Sequence, residues 1–454
     1  MAIVTIIGAG SVSFTQTLVS DLLQQEETKD CELRLHDIDP EALRAAQTLV
    51  ERMRLELRSP SCGPVRASTD LRKSVAGSDY VICTVLVGGR EAAVRDFEVT
   101  SRFGLRFTVG DTLGIAGISR AIRTIPVLKH VADVCSDVAP NALLFNYTNP
   151  MGMLVSAVGR STGFPTIGLC HGTAYTVKTL AEYLQIPSED IEWTSAGINH
   201  LAWLLTLSVQ GRDLYPELAS VASRPEIYNR DRVRFDLMKR FGYFTTESSK
   251  HVAEYLGFYV TRPSEIDRLA IPIDEFLGRR PIPISKQLDL MQTAGSLLRP
   301  RSNEYAPPLI AALESNGHMA FQGNVMNDHL IDDLVQDMCV EVPCFAIRGT
   351  VTPTRVGRLP AGVGALTRQS HSVQELAVDG VLKGDRDYLY QAALMDPQTA
   401  SVLDVNQICE LVDLLVEGDP RFRSGRLESF AGVGTPFEQT AATERRPART
   451  KANS

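Results

Sequence analysis

The 454-residue chain has no apolar run near the roughly 20 residues that a membrane-spanning helix needs. Its start, "IVTIIGAG", lacks the basic region and the cleavage site of a secretory leader. A net charge of -8 disfavours nucleic acid and anionic membranes as partners. The eight cysteines include no CxxC pair, which argues against a disulfide framework. We therefore expect a reduced, cytoplasmic protein without a nucleic-acid or membrane partner.

The N-terminal segment reads as a strand, a glycine turn, a helix and a second strand that ends in acids. "AIVTIIGAGSVSF" supplies Gly8 and Gly10 for a tight turn, where backbone N–H groups at a helix N-terminus can meet a pyrophosphate. Ser13 replaces the third glycine of the usual fingerprint. Asp37 ends "CELRLHDID" and is placed to bind a ribose 2′-hydroxyl, which favours NAD over NADP. A tight turn without a ligand is the alternative.

Further buried strands follow in "SDYVICTVLVGG", "NALLFNYTNPM" and "TIGLCHG". They alternate with helical stretches such as "RTIPVLKHVADVCSDV", which predicts an α/β fold with a doubly wound parallel sheet of the Rossmann type. Ligands of such sheets bind outside the carboxyl ends of the strands. Asn149, Cys170 and His171 each follow a predicted strand, so we expect them to face the cofactor crevice.

The length of the chain predicts more than one domain. We expect a Rossmann-like NAD-binding domain over residues 1–195 and a second, α+β domain over 196–435 for catalysis, substrate binding and oligomerisation. The stretch "AATERRPARTKANS" lacks large apolar side chains and cannot bury enough surface to order itself. A disordered tail is therefore expected over residues 436–454.

A thiol and an imidazole form a candidate metal site. Cys170 ends the strand "TIGLC", and His200 lies where a glycine-containing turn meets the apolar run "LAWLL". A thiolate and an imidazole suit a borderline divalent metal and leave positions open for substrate oxygens. A buried, inert cysteine and a core histidine with satisfied hydrogen bonds are the alternative interpretation.

Two polar segments add candidate catalytic groups. Asp111 lies in a glycine-rich loop ahead of a basic helix, in "FTVGDTLGIAGISRAIRTIPV". Glu247, His251, Glu254 and Tyr255 lie close together in "GYFTTESSKHVAEYLGFY". The alternatives are a turn or N-cap residue for Asp111 and a solvated amphipathic helix for the second segment.

These motifs together resemble glycoside hydrolase family 4. The resemblance covers residue 3 to about residue 415 and rests on nine motifs in one order: "IIGAGS", "GDTLGIAGISRAIRTIPV", "NYTNPM", "GLCHG", "AGINHLAW", "FGYFTTESSKHVAEY", "SNEYAPPLI", "GNVMND" and "CVEVPC". It implies a fold like that of lactate and malate dehydrogenases, the cofactors NAD and Mn²⁺, and a homodimer or homotetramer.

The resemblance also implies an unusual route of hydrolysis, an exception to the two-carboxylate mechanism. NAD⁺ oxidises C3 of the sugar, and the resulting ketone acidifies the proton on C2. A base removes that proton, the glycosidic oxygen leaves by elimination, water adds, and the hydride returns. NAD⁺ is regenerated in every turnover.

The family pattern transfers to this chain residue by residue. It assigns Cys170 and His200 to the metal, and Gly8, Gly10, Ser11 and Asp37 to NAD. It assigns Asn149 and His171 to the substrate and Asp111 to an acidic position beside the reacting sugar. The base on C2 stays open among Tyr255, His251 and Glu247.

The resemblance favours an α-galactoside as the substrate. His171 follows Cys170, as in branches that act on unphosphorylated sugars, where phosphoglycosidases typically have an aspartate. A uronate would need a cation, and Lys250 or Arg301 could serve. The alternatives by the same mechanism are an α-galacturonide, an α-glucuronide or an α-glucoside.

Two departures from the family pattern bear on specificity. Residues Ile115–Gly117 replace a common Pro-Gly-Gly, and His329 stands where a glycine is common. Two hypotheses from other classes also remain. One is an NAD-dependent dehydrogenase of the 2-hydroxy-acid type, which would accumulate NADH, and the other is a nucleotide-sensing protein without chemistry.

Overall fold

A computed structural model of the chain describes residues 1–57, 63–280, 282–283, 286–287, 295–315, 317–347, 349–417 and 419–422. The predicted tail over 436–454 lies outside the described residues. Within these ranges, no helix combines the length and the apolar character that crossing a membrane requires.

The N-terminal half forms a parallel sheet. Its strands are β1 (Ile3–Ile7), β2 (Glu32–His36), β3 (Val65–Ser68), β4 (Tyr80–Cys83), β5 (Leu143–Asn146) and β6 (Thr166–Leu169). They pair in parallel in the order β3-β2-β1-β4-β5-β6, which is the Rossmann order. The prediction of a doubly wound parallel sheet is confirmed. The order reverses between β1 and β4, where such sheets form their ligand crevice.

Helices cover both faces of this sheet. They are α1 (Val12–Leu23), α2 (Pro40–Leu57), α3 (Leu71–Val75), α4 (Gly89–Arg102), α5 (Gly114–Val138), α6 (Met151–Ser161) and α7 (Gly172–Leu184). Side chains of a strand alternate between its faces, so Val4 and Ile6 join one core cluster with α1 and α2, while Ile7 joins another with α5. Leu18 and Leu22, predicted to lie on one helix face, are fully buried.

The second half continues the same sheet with antiparallel strands. They are β7 (Glu192–Ile198), β8 (Leu201–Val209), β9 (Arg212–Asp213), β10 (Phe244–Thr245), β11 (His318–Met326), β12 (Cys339–Ile347) and β13 (Thr350–Pro353). Strand β11 pairs with β6, and the order then runs β12-β7-β8-β10. The expected α+β arrangement of this half is confirmed, whereas the domain boundary at 195/196 stays a prediction.

The remaining helices surround these strands. They are a 3₁₀ turn (Ser188–Asp190), α8 (Tyr215–Val221), α9 (Pro225–Tyr228), α10 (Arg232–Phe241), α11 (Ser249–Tyr255), α12 (Pro263–Leu269), α13 (Glu275–Gly278), α14 (Ala306–Glu314), α15 (Ala361–Lys383), α16 (Arg386–Met395), α17 (Pro397–Val402) and α18 (Val405–Val416). Helix α15 packs against α5 and α6, so it joins the two halves through a shared core.

Both departures from the family pattern have a place in this fold. His329 is exposed and has φ +55°, in the left-handed region that favours glycine, which explains why glycine is common there. Residues Ile115–Gly117 are buried in the first turn of α5, directly after the loop that carries Asp111.

Candidate active site

A cleft of about 640 Å³ lies at the carboxyl ends of the parallel strands. Eight of the predicted site residues line it: Ser11, Asp111, Asn149, Cys170, His171, His200, Glu247 and His251. A larger groove of about 970 Å³ borders Tyr215 and Tyr228 but contains none of the predicted residues. We therefore locate the chemistry in the smaller cleft, which runs from the glycine turn to the His200 region.

The glycine turn and the acid of β2 are in direct contact. The backbone N–H of Gly10 donates to Oδ2 of Asp37 at 2.7 Å, and the N–H of Gly8 donates to the carbonyl of His36 at 2.9 Å. A Cβ at Gly10 would lie 2.6 Å from Oδ2 of Asp37, so this position has no room for a side chain. Ser11 follows at the N-terminus of α1 and lines the cleft. This geometry fits a dinucleotide, with the turn near the pyrophosphate and Asp37 near the ribose.

Replacing Gly10 with Ala should displace Asp37 and weaken NAD⁺ binding by at least about tenfold. Titration of NAD⁺ by fluorescence or calorimetry measures this change. Gly295→Ala is the matched control, because an added Cβ there has no atom within 4 Å. Equal NAD⁺ affinity in Gly10→Ala and the wild-type protein would contradict the assignment of this turn.

His200 occupies a two-residue turn between β7 and β8, in the left-handed backbone region at φ +65°. Its Nδ1 atom lies 3.0 Å from Oγ1 of Thr112 and 3.2 Å from the hydroxyl of Tyr255. The Thr112 hydroxyl donates to Oδ1 of Asp111 at 2.6 Å, so its oxygen is left to accept a hydrogen bond from the N–H at Nδ1 of His200. This network assigns the lone pair of the imidazole to Nε2. Burial lowers the pKa of His200, which keeps the ring neutral.

The Nε2 atom of His200 faces a carboxylate. Oε2 of Glu247 lies 3.5 Å away, and the Glu247 carboxylate also accepts the backbone N–H of Ser248. A lone pair and a carboxylate oxygen that face each other repel unless a cation shares the space. This donor set fits a divalent metal ion.

Cys170 extends this donor set. It follows β6 and lines the cleft with His200 and Glu247. Burial raises the pKa of its thiol well above the usual value, and the negative charges of Glu341 and Glu247 raise it further. A divalent cation in this anionic region would favour the thiolate. The types of donor atom in this region therefore suit a divalent metal ion.

A compact triplet of ligand atoms overlaps this set. Among the described residues, single ligand atoms of Asp111, His200 and His251 lie within 4.8 Å of one another, and Cys170 is not part of that triplet. His251 lies 3.4 Å from Oε1 of Glu247. Burial alone would lower the pKa of His251, but the nearby carboxylate of Glu247 raises it to about 9. A neutral His251 could bind a metal ion together with Asp111 and His200, whereas a protonated His251 can donate a proton.

Asp111 and Glu247 both carry negative charge in the cleft. Burial disfavours ionisation of Asp111, but the positive charges of His251 and Arg120 outweigh it and lower the pKa. Burial likewise disfavours ionisation of Glu247, but the adjacent imidazoles of His200 and His251 and the N–H of Ser248 outweigh it and lower the pKa. The cleft therefore pairs two carboxylates with a cationic imidazole.

Tyr255 lies outside the cleft lining, behind His200. It is buried, and burial and nearby carboxylates raise its pKa well above the usual value. Its hydroxyl contacts Nδ1 of His200, the side of the ring that faces away from Glu247. In this arrangement Tyr255 supports His200 rather than reaching a substrate directly.

The predicted substrate residues have clear partners. Nδ2 of Asn149 donates to Oδ2 of Asp111 at 3.2 Å, while Oδ1 of Asn149 is buried without a partner among the described residues. An orphaned acceptor in a cleft fits a ligand hydroxyl. His171 is half exposed and pairs with Glu304 at 2.9 Å, and that hydrogen bond raises the pKa of His171.

Sequence reasoning did not single out Thr112 or Glu304, and it named Glu254 only as a member of its segment. Thr112 fixes the tautomer of His200, Glu304 holds His171, and the carboxylate of Glu254 binds the loop before Asp111. Oε2 of Glu254 accepts the N–H and the hydroxyl of Thr108 and the N–H of Val109, at 2.7 to 2.9 Å. The N–H of Gly110 also donates to this carboxylate. A buried acid in the segment that carries His251 was the available signal.

The strand order and the charged cleft at the strand ends define a Rossmann-fold enzyme. The sequence model of the family "Family 4 glycosyl hydrolase" matches residues 3–186. The model of the C-terminal domain of this family matches residues 195–399. The chain belongs to this family, and the expectation of a glycoside hydrolase is confirmed.

Two relatives extend over nearly the whole chain. An alpha-galactosidase of Bacillus subtilis is 39% identical, covering 90% of this chain and 96% of its own length. An alpha-galactosidase of Rhizobium meliloti is 32% identical, covering 91% and 87%.

Solved structures share the fold. A 6-phospho-beta glucosidase of Thermotoga maritima with manganese, NAD⁺ and glucose-6-phosphate has a TM-score of 0.75 at 23% identity, covering 92% of this chain and 99% of its own. A malate dehydrogenase of Plasmodium falciparum with NADH has a TM-score of 0.51 at 14% identity, covering 84% and 99%. The expected likeness to malate dehydrogenase is therefore confirmed at the level of the fold.

Proposed function

We propose that the protein hydrolyses α-galactosides and depends on NAD⁺ and Mn²⁺ for this reaction. The observation that carries the proposal is the 39% identity to an alpha-galactosidase over 90% of the chain. The cleft supports it, because it joins the glycine-turn end of the Rossmann sheet to a thiol, an imidazole and two carboxylates. The reaction would follow the family's order of C3 oxidation, C2 deprotonation, elimination, water addition and reduction.

When bound, NAD⁺ would supply a reversible hydride acceptor, and Mn²⁺ would supply a Lewis acid for oxygens of the sugar. Residues of the chain would bind and orient both groups. Gly8, Gly10, Ser11 and Asp37 would hold NAD⁺, and Cys170 and His200 would hold Mn²⁺. Asn149, with its orphaned Oδ1, would accept a hydroxyl of the sugar.

We assign the proton transfers to Glu247 and His251. Glu247 is ionised, lines the cleft and can accept the C2 proton, while His251 carries a proton that it can donate to the departing glycosidic oxygen. Tyr255 acts through His200 in this proposal, since its hydroxyl contacts Nδ1 of that ring. Asp111 holds a sugar hydroxyl beside Asn149.

The two cations that the sequence offered for a uronate, Lys250 and Arg301, are not available in the cleft, which favours a neutral galactoside. Nζ of Lys250 and Nη2 of Arg279 both bind Oε1 of Glu275 at 2.8 Å, so these cations are already paired. Arg301, the other cation considered for a uronate, does not line the cleft. Phosphorylated substrates are disfavoured for the same reason and by His171 after Cys170.

Cleavage in D₂O should place deuterium at C2 of the released galactose. Deprotonation at C2 followed by return of a solvent proton exchanges this position, whereas hydrolysis by two carboxylates leaves it untouched. The measurement uses p-nitrophenyl α-galactoside with NAD⁺, Mn²⁺ and a reductant, with NMR of the product. Product without deuterium at C2 would contradict the mechanism.

The same assay separates the rival classes. Absorbance at the NADH wavelength should stay constant during sustained cleavage, because the hydride returns in each turnover. Stoichiometric growth of NADH would favour a dehydrogenase. Hydrolysis that continues after removal of both NAD⁺ and Mn²⁺ would contradict the proposed dependence on cofactors.

A further inference from the structure

Arg120 is a nearly buried cation of the cleft that sequence analysis did not single out. It lies on α5, two turns after Asp111, and its side chain is 13% exposed. Its guanidinium lines the cleft together with Thr84, Asp111 and Asn149. It therefore lies next to the residues that the proposed function gives to the sugar.

The guanidinium of Arg120 is short of partners. Nη1 lies 3.6 Å from Oδ2 of Asp111, an ion pair longer than a hydrogen bond, and none of the described residues forms a hydrogen bond with this guanidinium. Arg234 lines the same cleft, yet it donates to Asp231 and to Thr176. Arg123, one turn further along α5, donates to Asp96 and to the carbonyl of Val87.

An arginine has five N–H donors, and a nearly buried one without hydrogen bonds calls for a ligand. One acceptor in the same cleft also lacks a partner among the described residues, Oδ1 of Asn149, whose Nδ2 donates to Oδ2 of Asp111. The three side chains thus offer donors and acceptors to one small polar molecule.

We propose that Arg120 is a substrate-binding residue that donates hydrogen bonds to two oxygens of the sugar held against Asp111 and Asn149. The inference rests on the proposed function for the identity of the sugar. The fork of a guanidinium matches two neighbouring oxygens, which an ammonium cannot match. Asp111 neutralises the charge of Arg120 and repels an added carboxylate, so the pair selects hydroxyl groups over a uronate.

The dinucleotide is the other polar ligand of this crevice. Its predicted contacts are Gly8, Gly10, Ser11 and Asp37, and the described ion pair of Arg120 is with Asp111 instead. The sugar therefore accounts for Arg120 better than the pyrophosphate does.

The test compares Arg120→Met, Arg120→Lys and the control Arg123→Lys, which makes the same change one turn away on α5. Galactose, galacturonate and NAD⁺ binding are measured by calorimetry, and thermal melting checks that each variant folds. We expect both Arg120 variants to bind galactose at least about tenfold more weakly and to raise KM, with NAD⁺ affinity changed less than about twofold. Arg123→Lys should bind galactose as the wild-type protein does.

Three results would overturn the proposal. The first is wild-type galactose binding in Arg120→Lys, because a point charge beside Asp111 would then suffice. The others are Arg120 variants that lose only NAD⁺ affinity, or that have a lower kcat with unchanged galactose binding. Galacturonate binding that is tighter than galactose binding and lost in Arg120→Met would support the contact and contradict the proposed substrate. A wild-type protein that binds galactose without cleaving galactosides would contradict the proposed function alone. A wild-type protein that binds neither sugar would contradict both.

Discussion

Replacing Cys170 with Ser is expected to lower kcat/KM for an α-galactoside by about 1000-fold or more, because even residues that merely support metal ligands contribute about 10–100-fold. A serine hydroxyl binds a divalent metal far more weakly than a thiolate. Titration with Mn²⁺, followed by electron paramagnetic resonance, should show loss of tight binding. NAD⁺ affinity should stay within about twofold of the wild-type value, since Gly8, Gly10 and Asp37 are unchanged.

Cys409→Ser is the matched control for this experiment. Cys409 is a free, partly buried cysteine on α18 and does not line the cleft. It should keep its activity and its Mn²⁺ affinity. If Cys170→Ser retained activity within about tenfold of the wild-type protein, the assignment of the thiol as a ligand would fail.

Replacing Glu254 with Gln is expected to reduce both stability and activity. The carboxylate receives hydrogen bonds from Thr108, Val109 and Gly110, directly before Asp111. The amide nitrogen of glutamine would face at least one of these donors, so the free energy of unfolding should fall by about 1–3 kcal/mol. The loop would shift with Asp111, and displacement of a reacting group by about 1 Å can lower kcat/KM about 100-fold.

Chemical denaturation and steady-state kinetics check this prediction together. Glu265→Gln, in an exposed ion pair with Arg268 on α12, is the control and should change stability by less than about 1 kcal/mol. A stable Glu254→Gln variant with wild-type kinetics would show that the position of Asp111 does not depend on this carboxylate.

The Rossmann half of the fold was predictable from local patterns. The strand, glycine turn and acid of "IIGAGS" and "CELRLHDID" are close in sequence, and Asp37 does meet Gly10 in space. Because parallel strands end at one edge of the sheet, the positions of Asn149 and Cys170 after their strands predicted that both would line the same cleft.

The relations among the side chains were not predictable from spacing. Tyr255 and His251 are one helical turn apart on α11, yet one lies behind His200 and the other lines the cleft. The charge of His251 depends on Glu247, and the tautomer of His200 depends on Thr112, 88 residues earlier in the chain. Burial and long-range packing decide such features, and no local pattern records them.

The pairing of β6 with β11 joins the two parts of the site through one sheet. Strands on both sides of this pair belong to one hydrogen-bonded sheet, so the cofactor end and the His200 turn share a stiff support instead of meeting across a hinge. In the proposed cycle the same electrons leave C3 and come back several steps later. The hydride must return to the carbon that gave it up, and a continuous sheet favours a constant distance between the cofactor end and the His200 turn over the cycle.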